Sequence, residues 1–392
     1  MKELANTINA INKPLNVRVP GKYDKVNRLI IIGNGFDLAH GLKSSFKDFL
    51  NWYLFQVLND FFSDKSYEDE LIKINSRSSD ILLSILNKRN GIKAFEEFKT
   101  TARQEDIIWK SEFLHDIMNE LNQKTWVDVE KYYFDYLVKK NSSNSKLNKK
   151  GYTINKLNDQ FKIMKYKFVD YLKLEYQNFE FKIDQRLLDQ FIGKIKRNES
   201  IYGTLKSDMT PGVTCLLNFN YTDLAVRYYE RACNDHINIP IHGELDGDNV
   251  IKQEPIFGFG DELNEEFIKF ENSDDESLFD HIKSIKYLEF DQYRQLDEFI
   301  NSMPYQILIF GHSCGVSDRT LLNTLFENKN CISIKPFYHH YTLPEGLERD
   351  NYLKIALGIY RHFRSKQSLR SKVVNKEYCE PMVQPKKKQP QN

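Results

Sequence analysis

The chain has 392 residues, and its 56 Lys and Arg against 55 Asp and Glu leave a formal net charge of +1. This balance excludes a histone-like or polybasic protein and gives no long-range attraction to nucleic acid or to an anionic membrane. Apolar residues make up 41% of the chain, which is enough for a large core and excludes wholesale disorder. Glycine is scarce at 17 residues, so the position of each glycine is informative.

The cysteines and the longest apolar runs predict a cytoplasmic protein. The five cysteines lie far apart and form no Cys-x-x-Cys pair, so a zinc site built from cysteines has no support and no metal is predicted. The apolar runs have the length of strands and fall short of a signal peptide or a membrane span.

The first regular elements are predicted shortly after the polar leader. The unbroken apolar run 29–32 is typical of a strand that is covered on both faces, as in a parallel sheet. From Phe46 to Phe62, apolar residues recur at steps of three and four and predict an amphipathic helix, with Ser45 and Asp48 as its capping box.

Further along the chain, a mostly helical stretch is followed by a second series of strands. Apolar runs that end in turns predict strands at 213–219, 237–241, 255–259, 305–310 and 331–337. The alternation of strand, turn and helix predicts an α/β fold with a Rossmann-like parallel sheet. The predicted core comprises 28–62 and 211–345, with a helical insertion at 63–210 and a C-terminal helix and disordered basic tail at 346–392.

The first candidate site directly follows the first strand. Its residues are Gly33, Asn34, Gly35, Phe36 and Asp37. The glycines permit a sharp turn close to a ligand, and the amides after them can donate to a pyrophosphate. The string is neither Gly-x-Gly-x-x-Gly nor a P-loop, so an ordinary turn from strand to helix is the alternative.

Two more candidate sites follow the next predicted strands. Asn218 and Asn220 come with Asp223 just past a buried strand, where polar groups are costly unless they are used or satisfied. Capping of the next helix explains one of these residues. His242 follows another strand and is the side-chain type best suited to act as a base near neutral pH, with a structural role as the alternative.

The last candidate sites are two glycine-containing strings. Gly258 belongs to a Gly-x-Gly turn, while Gly311, Ser313 and Asp318 follow the run 305–310 and suit a phosphate or a ribose.

The second of these strings also matches a different catalytic motif. Gly311-His312-Ser313-Cys314-Gly315 matches the Gly-x-Ser-x-Gly nucleophile elbow between a strand and a helix. A serine hydrolase is therefore an alternative, with a base drawn from His339, His340 and His362.

Several strings taken together resemble the AbiH family of bacteriophage abortive-infection proteins. They are IIGNGFDLAHGLKSSFKDFL, WVDVE at 126–130, LLNFNYTDL, IHGEL, IFGFGDE and IFGHSCGVSDRTL. The string GNGFDLAHGL is quite specific, and the resemblance extends from about 28 to 340. It implies a bacterial anti-phage protein with a phage-encoded trigger as partner, and it leaves self-association open.

The order of the motifs is also distantly similar to that of sirtuin-like NAD-binding domains. Those domains carry a Gly-Ala-Gly turn, a Thr/Gln-Asn motif, a His-Gly, a Phe-Gly-Glu and a late Gly-x-Ser. The corresponding positions in this chain are 33–35, Asn220, 242–243, 257–258 and 311–313. The Ala is replaced by Asn, and the zinc module of deacylating sirtuins has no counterpart. The similarity therefore implies NAD binding or cleavage more than protein deacylation.

This similarity implies roles for individual residues. Asn220 would hold the ribose or the attacking water, His242 would act as the base, and Asp37 would contact the ribose or stabilise positive charge. The residues expected to bind the nucleotide are Gly33, Asn34, Gly35, Phe36, Asn218, Gly258, Gly311, Ser313 and Asp318. The alternative from another class is a protein that senses a nucleotide without turning it over and binds a partner through its helical insertion.

Overall fold

The computed structural model describes residues 22–75, 90–123, 129–141, 151–231, 236–245, 253 and 255–385. Within these residues the strands are β1 (Asn27–Ile32), β2 (Tyr67–Glu68), β3 (Ile72–Ile74), β4 (Ile107–Trp109), β5 (Thr214–Asn218), β6 (His236–Pro240), β7 (Tyr305–Phe310), β8 (Cys331–Phe337), β9 (His340–Thr342) and β10 (Glu348–Asp350).

The helices are α1 (Asn34–His40), α2 (Phe46–Asp64), α3 (Gly91–Thr101), α4 (Glu112–Gln123), α5 (Val129–Asn141), α6 (Ile154–Gln177), α7 (Gln185–Ile192), α8 (Leu224–Glu230), α9 (Glu265–Glu271), α10 (Lys283–Lys286), α11 (Gln292–Ser302), α12 (Arg319–Glu327), α13 (Tyr352–His362) and α14 (Lys366–Lys372). Short 3-10 helices occupy Gln104–Asp106, Arg197–Glu199, Glu276–Phe279, Val316–Asp318 and Lys376–Tyr378.

A five-stranded, all-parallel sheet lies at the centre of the fold, which confirms the predicted α/β class. Its order is β6-β5-β1-β7-β8. Strands β5 and β6 thus lie on one side of β1, and β7 and β8, which come later in the chain, lie on its other side. The order reverses between β1 and β7, and ligands of doubly wound sheets bind at the carboxyl ends of strands at this kind of position.

The central strand β1 is buried throughout, as its unbroken apolar run predicts. Ile30 and Ile32 pack into the core on one face of the sheet, and Leu29 and Ile31 pack into the core on the other. Period-two alternation therefore sends apolar side chains into two separate cores instead of into one core and solvent.

The region between α1 and β5 is largely helical, but it also contains a small antiparallel sheet of β2, β3 and β4 that the sequence did not predict. The start of α2 confirms the predicted capping box: the Asp48 amide donates to Ser45 Oγ at 3.1 Å, and the Ser45 amide donates to Asp48 Oδ2 at 3.3 Å. These two bonds satisfy amide donors that the first turn of a helix leaves without partners.

The strand predicted at 255–259 is wrong, because this segment forms a single bridge between Phe259 and Ile282. Its aromatic side chains pack against the helical region instead of a neighbouring strand. Phe257 stacks on Phe161 with ring centroids 5.1 Å apart, and Phe259 stacks on Phe134 at 4.0 Å. This apolar run has the length of a strand, but it packs against the helices instead of joining a sheet.

The C-terminal region contains more than the predicted helix. The β9–β10 hairpin precedes α13 and α14, and residues 386–392, which include most of the predicted basic tail, lie outside the described residues. Within the described part of the chain, no helix combines the length and apolarity needed to cross a membrane.

Candidate functional site

The segments predicted to carry the site lie side by side at the carboxyl edge of the central sheet. The Gly33 amide donates to Phe310 O at 2.9 Å, and the Phe219 amide donates to Ile32 O at 3.0 Å. These bonds extend the parallel ladder past the ends of β1, β5 and β7. The loops that follow these strands are therefore held in contact with one another.

Glycines form the closest contact between the loop after β1 and the loop after β7. A Cβ on Gly33 would lie 2.5 Å from Cα of His312, and a Cβ on Gly311 would lie 2.1 Å from the Phe36 nitrogen. Gly311 also has a φ of +69°, in the left-handed region that favours glycine. The scarce glycines at the switch point are thus required by the approach of two loops.

Backbone amides of the first loop, among them those of Gly35 and Phe36, donate to protein acceptors. The Gly35 amide donates to Gly311 O at 2.9 Å, and the Phe36 amide donates to Gly33 O at 2.8 Å. Asn34 is exposed, and its Oδ1 accepts a hydrogen bond from Ser44. The Phe36 ring points into the core, where its centroid lies 5.7 Å from that of Phe191.

Asp37 is the centre of a first polar network, which contains neutral hydrogen-bond donors. Asn220 Nδ2 donates to Asp37 Oδ1 at 2.9 Å and to Gly33 O at 3.1 Å, and Thr222 Oγ1 donates to Asp37 Oδ2 at 2.7 Å. Asn218 supports this arrangement, since its Oδ1 accepts from the Asn220 amide at 3.0 Å and its Nδ2 donates to Thr222 O at 2.8 Å. We call Asp37, Asn218, Asn220 and Thr222 the Asp37 network.

Burial controls the ionisation of Asp37. Desolvation raises the pKa of this carboxyl from 3.8 to about 7, and the hydrogen bonds from Thr222 and Asn220 offset only part of that effect. Hydrogen bonds from neutral donors stabilise a carboxylate less than a nearby cation does. Asp37 therefore gains and loses a proton near neutral pH.

Asp318 is the centre of a second network, which contains a buried cation. Lys283 Nζ lies 2.7 Å from Asp318 Oδ1 and 2.7 Å from Glu130 Oε2. Glu130 also accepts a hydrogen bond from the Gly258 amide at 3.0 Å, which attaches the segment after residue 255 to the helical region. We call Glu130, His242, Lys283, His312 and Asp318 the Asp318 network.

The two histidines approach opposite oxygens of Asp318. His242 Nε2 lies 3.5 Å from Oδ1, and His312 Nε2 lies 3.6 Å from Oδ2. The Phe219 ring contacts both imidazoles, with centroids 5.0 Å and 4.3 Å away. His312 Nδ1 accepts from the Cys314 amide at 3.1 Å, so in its neutral form His312 carries its proton on the nitrogen that faces Asp318.

The charge of Lys283 shifts the pKa values of its neighbours in the Asp318 network. Burial alone would raise the pKa of Asp318, but the Lys283 charge and the hydrogen bonds from the two histidines hold it well below its usual range. Burial would likewise lower the pKa of Lys283, but Asp318 and Glu130 raise it above its usual value. Burial, followed by the Lys283 charge, lowers the pKa of His242 from 6.5 to about 4, so His242 is neutral at neutral pH.

Ser313 lies apart from both networks. It is exposed, and the left-handed non-glycine residue of its loop is Cys314, with a φ of +52°, whereas a nucleophile elbow places the strained turn at the serine. His362 Nε2 contacts Cys314 O at 2.9 Å, and His340 pairs with Glu348 at 3.0 Å. The geometry therefore gives the serine hydrolase alternative no support.

The sequence motifs missed four members of the two networks. Thr222 and His312 stood inside motifs that were recognised, yet other residues of those motifs were chosen. Glu130 ends the string WVDVE, of which 126–128 lie outside the described residues. A role in packing the helical insertion against the sheet is the expectation from the sequence, but no local pattern indicated its ion pair with a buried lysine. Lys283 has no motif at all, because its role comes entirely from burial between two carboxylates that are distant in sequence.

The strand order defines an α/β protein with a Rossmann-like parallel sheet, and the two polar networks lie at the carboxyl edge of that sheet. The family model described as Bacteriophage abortive infection AbiH matches residues 29–340, and the chain belongs to the AbiH family. Family membership indicates a bacterial abortive-infection protein that defends against phage. No curated protein matches the chain.

Proposed function

We propose that this abortive-infection protein binds NAD at the carboxyl edge of the sheet and hydrolyses its nicotinamide–ribose bond. The observation that carries the proposal is the placement of the two networks side by side at the carboxyl edge of the sheet. The Asp37 network joins the loops that follow β1 and β5, and His312 of the Asp318 network, in the loop after β7, packs against Gly33. Doubly wound sheets bind nucleotides at this position. A carboxyl group with a pKa near 7 there is suited to proton transfer at neutral pH.

The reaction needs one water molecule and one base. Water attacks the anomeric carbon of the ribose, the carbon–nitrogen bond breaks, and its electron pair leaves with nicotinamide. The water proton passes to the base and then to solvent, so the products are nicotinamide, ADP-ribose and a proton. Because nicotinamide leaves readily, the protein's task is to orient the ribose and accept the proton.

The pKa values favour Asp37 over His242 as the base. Asp37 has a pKa of about 7 and is oriented by Asn220 and Thr222. His242, the base expected from the sequence, has a pKa of about 4 and is therefore a weak base. We assign proton acceptance to Asp37, orientation of Asp37 to Asn220, and a neutral hydrogen bond to the ribose to His242.

The site is closed in this structure, which fits a protein that is silent until infection. Asp37 is 2% exposed, Asn220 7% and His242 6%. The proposal therefore includes an opening step before NAD can enter, and a phage-encoded trigger would supply that step by binding the open state more tightly.

The test is incubation of the purified protein with NAD, with and without phage lysate, and chromatography of nicotinamide and ADP-ribose. We expect turnover that increases with lysate and falls at least 100-fold in Asn220→Ala. The matched control is Asn301→Ala, because Asn301 is exposed and its hydrogen bonds, to Asp297 of its own helix and from Asn328, involve no residue of the two networks. Absence of products under both conditions, or full turnover by Asn220→Ala, would contradict the proposal.

One observation favours a second candidate function, nucleotide sensing without turnover. Both oxygens of Asp37 already accept hydrogen bonds from Asn220 and Thr222, which leaves the carboxylate less able to take a proton from water. Calorimetry separates the two functions: saturable NAD binding without product, together with loss of phage protection in Asn220→Ala, identifies a sensor.

A further inference from the structure

A cavity of about 380 Å³ lies on one face of the central sheet, and no residue of the Asp37 or Asp318 network lines it. It is lined by side chains from three neighbouring strands, Arg28 of β1, Gln306 of β7 and Lys335 of β8. Arg28 precedes the end of β1 by four residues, which is about 13 Å along the strand, whereas Phe337 at the end of β8 also lines the cavity. Its volume lies within the range of small-molecule sites.

The lining of this cavity carries an excess of positive charge. Five cationic and three anionic side chains line it, and Arg186 pairs at 2.5 Å with Asp184 outside the lining, which leaves an excess of one positive charge. The cations are Arg28, Arg186, Lys194, Lys196 and Lys335, and the anions are Asp189, Glu199 and Glu380. We call this site the basic cavity.

The carboxylates of the basic cavity are engaged by only some of its cations. Lys335 Nζ lies 2.8 Å from Glu199 and 3.1 Å from Glu380. Lys196 lies 3.8 Å from Glu199, at the limit of an ion pair. Within the described residues, Lys194 has no ion pair with a carboxylate and stands exposed at the rim.

Arg28 is a buried cation whose contacts are neutral. It is 2% exposed, and its guanidinium donates to Phe191 O at 2.8 Å and to Gln306 Oε1 at 3.0 Å. Its Nε has no hydrogen-bond partner among the described residues. Burial lowers the pKa of Arg28 to about 10, so the group remains charged at neutral pH. A buried charge without a direct counter-ion is costly.

We infer that the basic cavity binds a small phosphorylated molecule whose phosphate is held by the charges of Arg28, Lys194 and Lys196. Within the described residues, neither Arg28 nor Lys194 forms an ion pair with a carboxylate, so a phosphate dianion matches these two charges and a monocarboxylate would match only one of them. Arginine and lysine are the side chains that recognise phosphate in proteins. The site lies outside the Asp37 and Asp318 networks, so it does not depend on the proposed NAD hydrolysis.

The test is calorimetric titration of the full chain with inorganic phosphate and, separately, with adenosine 5′-monophosphate at constant ionic strength. We expect saturable binding of at least one of them and a loss of affinity of at least 10-fold in the double variant Lys194→Gln/Lys196→Gln. Both lysines are exposed, so the variant should fold. The control is Lys47→Gln/Lys93→Gln, which removes the same charge from exposed positions outside the cavity.

Two further variants locate the phosphate. Arg28→Lys, which keeps the charge, should bind more tightly than Arg28→Met. Asn220→Ala should bind phosphate as the natural chain does, because no residue of the Asp37 network lines the cavity. Absence of saturable binding by either compound, equal affinity in the two lysine double variants, or loss of phosphate binding in Asn220→Ala would overturn the inference.

Discussion

Two aspartates at the same edge of the sheet are both almost fully buried, and yet their pKa values are shifted in opposite directions. Asp37 is 2% exposed and Asp318 8% exposed, and both accept two or more hydrogen bonds or close polar contacts. Burial raises the pKa of Asp37 to about 7, whereas the pKa of Asp318 lies well below its usual range. The difference is the presence of Lys283 beside Asp318 and of neutral donors beside Asp37.

The comparison shows that burial does not determine the charge of a group without its neighbours. An amide and a hydroxyl can orient the Asp37 carboxylate but do not cancel the free energy of its desolvation, whereas a buried ammonium group does so for Asp318. The Asp318 network is therefore permanently charged, and the Asp37 network can exchange a proton. These different properties suit a fixed electrostatic support and a base, respectively.

Removal of Lys283 should have the largest effect, because it leaves two buried carboxylates without a cation. We expect Lys283→Met to lower the free energy of unfolding by roughly 3–5 kcal/mol in urea denaturation. It should also raise the pKa of Asp318 toward that of Asp37.

The matched control for this variant is Lys286→Met on the same short helix. Lys286 pairs at 2.7 Å with Glu289, but both side chains are more than one third exposed. Exposed ion pairs contribute less than about 1 kcal/mol. Equal destabilisation by the two variants would show that Lys283 does not determine the difference between the aspartates.

Replacement of each aspartate by asparagine should change stability in opposite directions above neutral pH. The folded-state pKa of Asp37 is raised from 3.8 to about 7, so its ionisation destabilises the fold increasingly as the pH rises through this window. Asparagine does not ionise, so Asp37→Asn should not be destabilised in this way. The difference in free energy of unfolding between Asp37→Asn and the natural chain should therefore shift in favour of the variant by up to about 4 kcal/mol between about pH 4 and pH 8.

Asp318→Asn should instead lower the free energy of unfolding at neutral pH. The folded-state pKa of Asp318 is depressed, so its stabilising contribution is present above the unfolded-state pKa and is lost only in strong acid. We expect a loss of roughly 3 kcal/mol at neutral pH, measured by urea denaturation across the same pH series. Parallel pH profiles for the two asparagine variants would contradict the comparison.

The parts of the fold that the sequence predicted are those with strong local patterns. The unbroken run of β1 and the capping box at Ser45 both appear where they were expected, because burial on two faces and helix capping leave local signatures. The segment 255–259 had the same apolar character as a strand, and only the structure showed that it packs against Phe134 and Phe161 of the helical region.

The site residues also divide into those that a local sequence pattern predicted and those that it did not. Asp37, Asn220 and His242 were found because they follow strands, and parallel strands bring their carboxyl ends together. Lys283 and Glu130 could not be found, because a buried ion pair between two helices has no local sequence pattern. The same residues decide the pKa difference between the aspartates, so the electrostatics of the site required the structure.

The smallest expected effect concerns one hydroxyl group of the Asp37 network. Thr222→Val removes the 2.7 Å hydrogen bond to Asp37 and should lower the free energy of unfolding by about 1.5–3 kcal/mol near pH 8. The loss should shrink near pH 5, where Asp37 is protonated and no longer carries the charge that the hydroxyl stabilises. Thr342→Val is the matched control, since Thr342 donates to Glu348 at 2.9 Å on an exposed hairpin and should cost less than about 0.5 kcal/mol. A loss in Thr222→Val that does not change with pH would mean that Asp37 keeps one protonation state throughout, and the contrast with Asp318 would then rest on Lys283 alone.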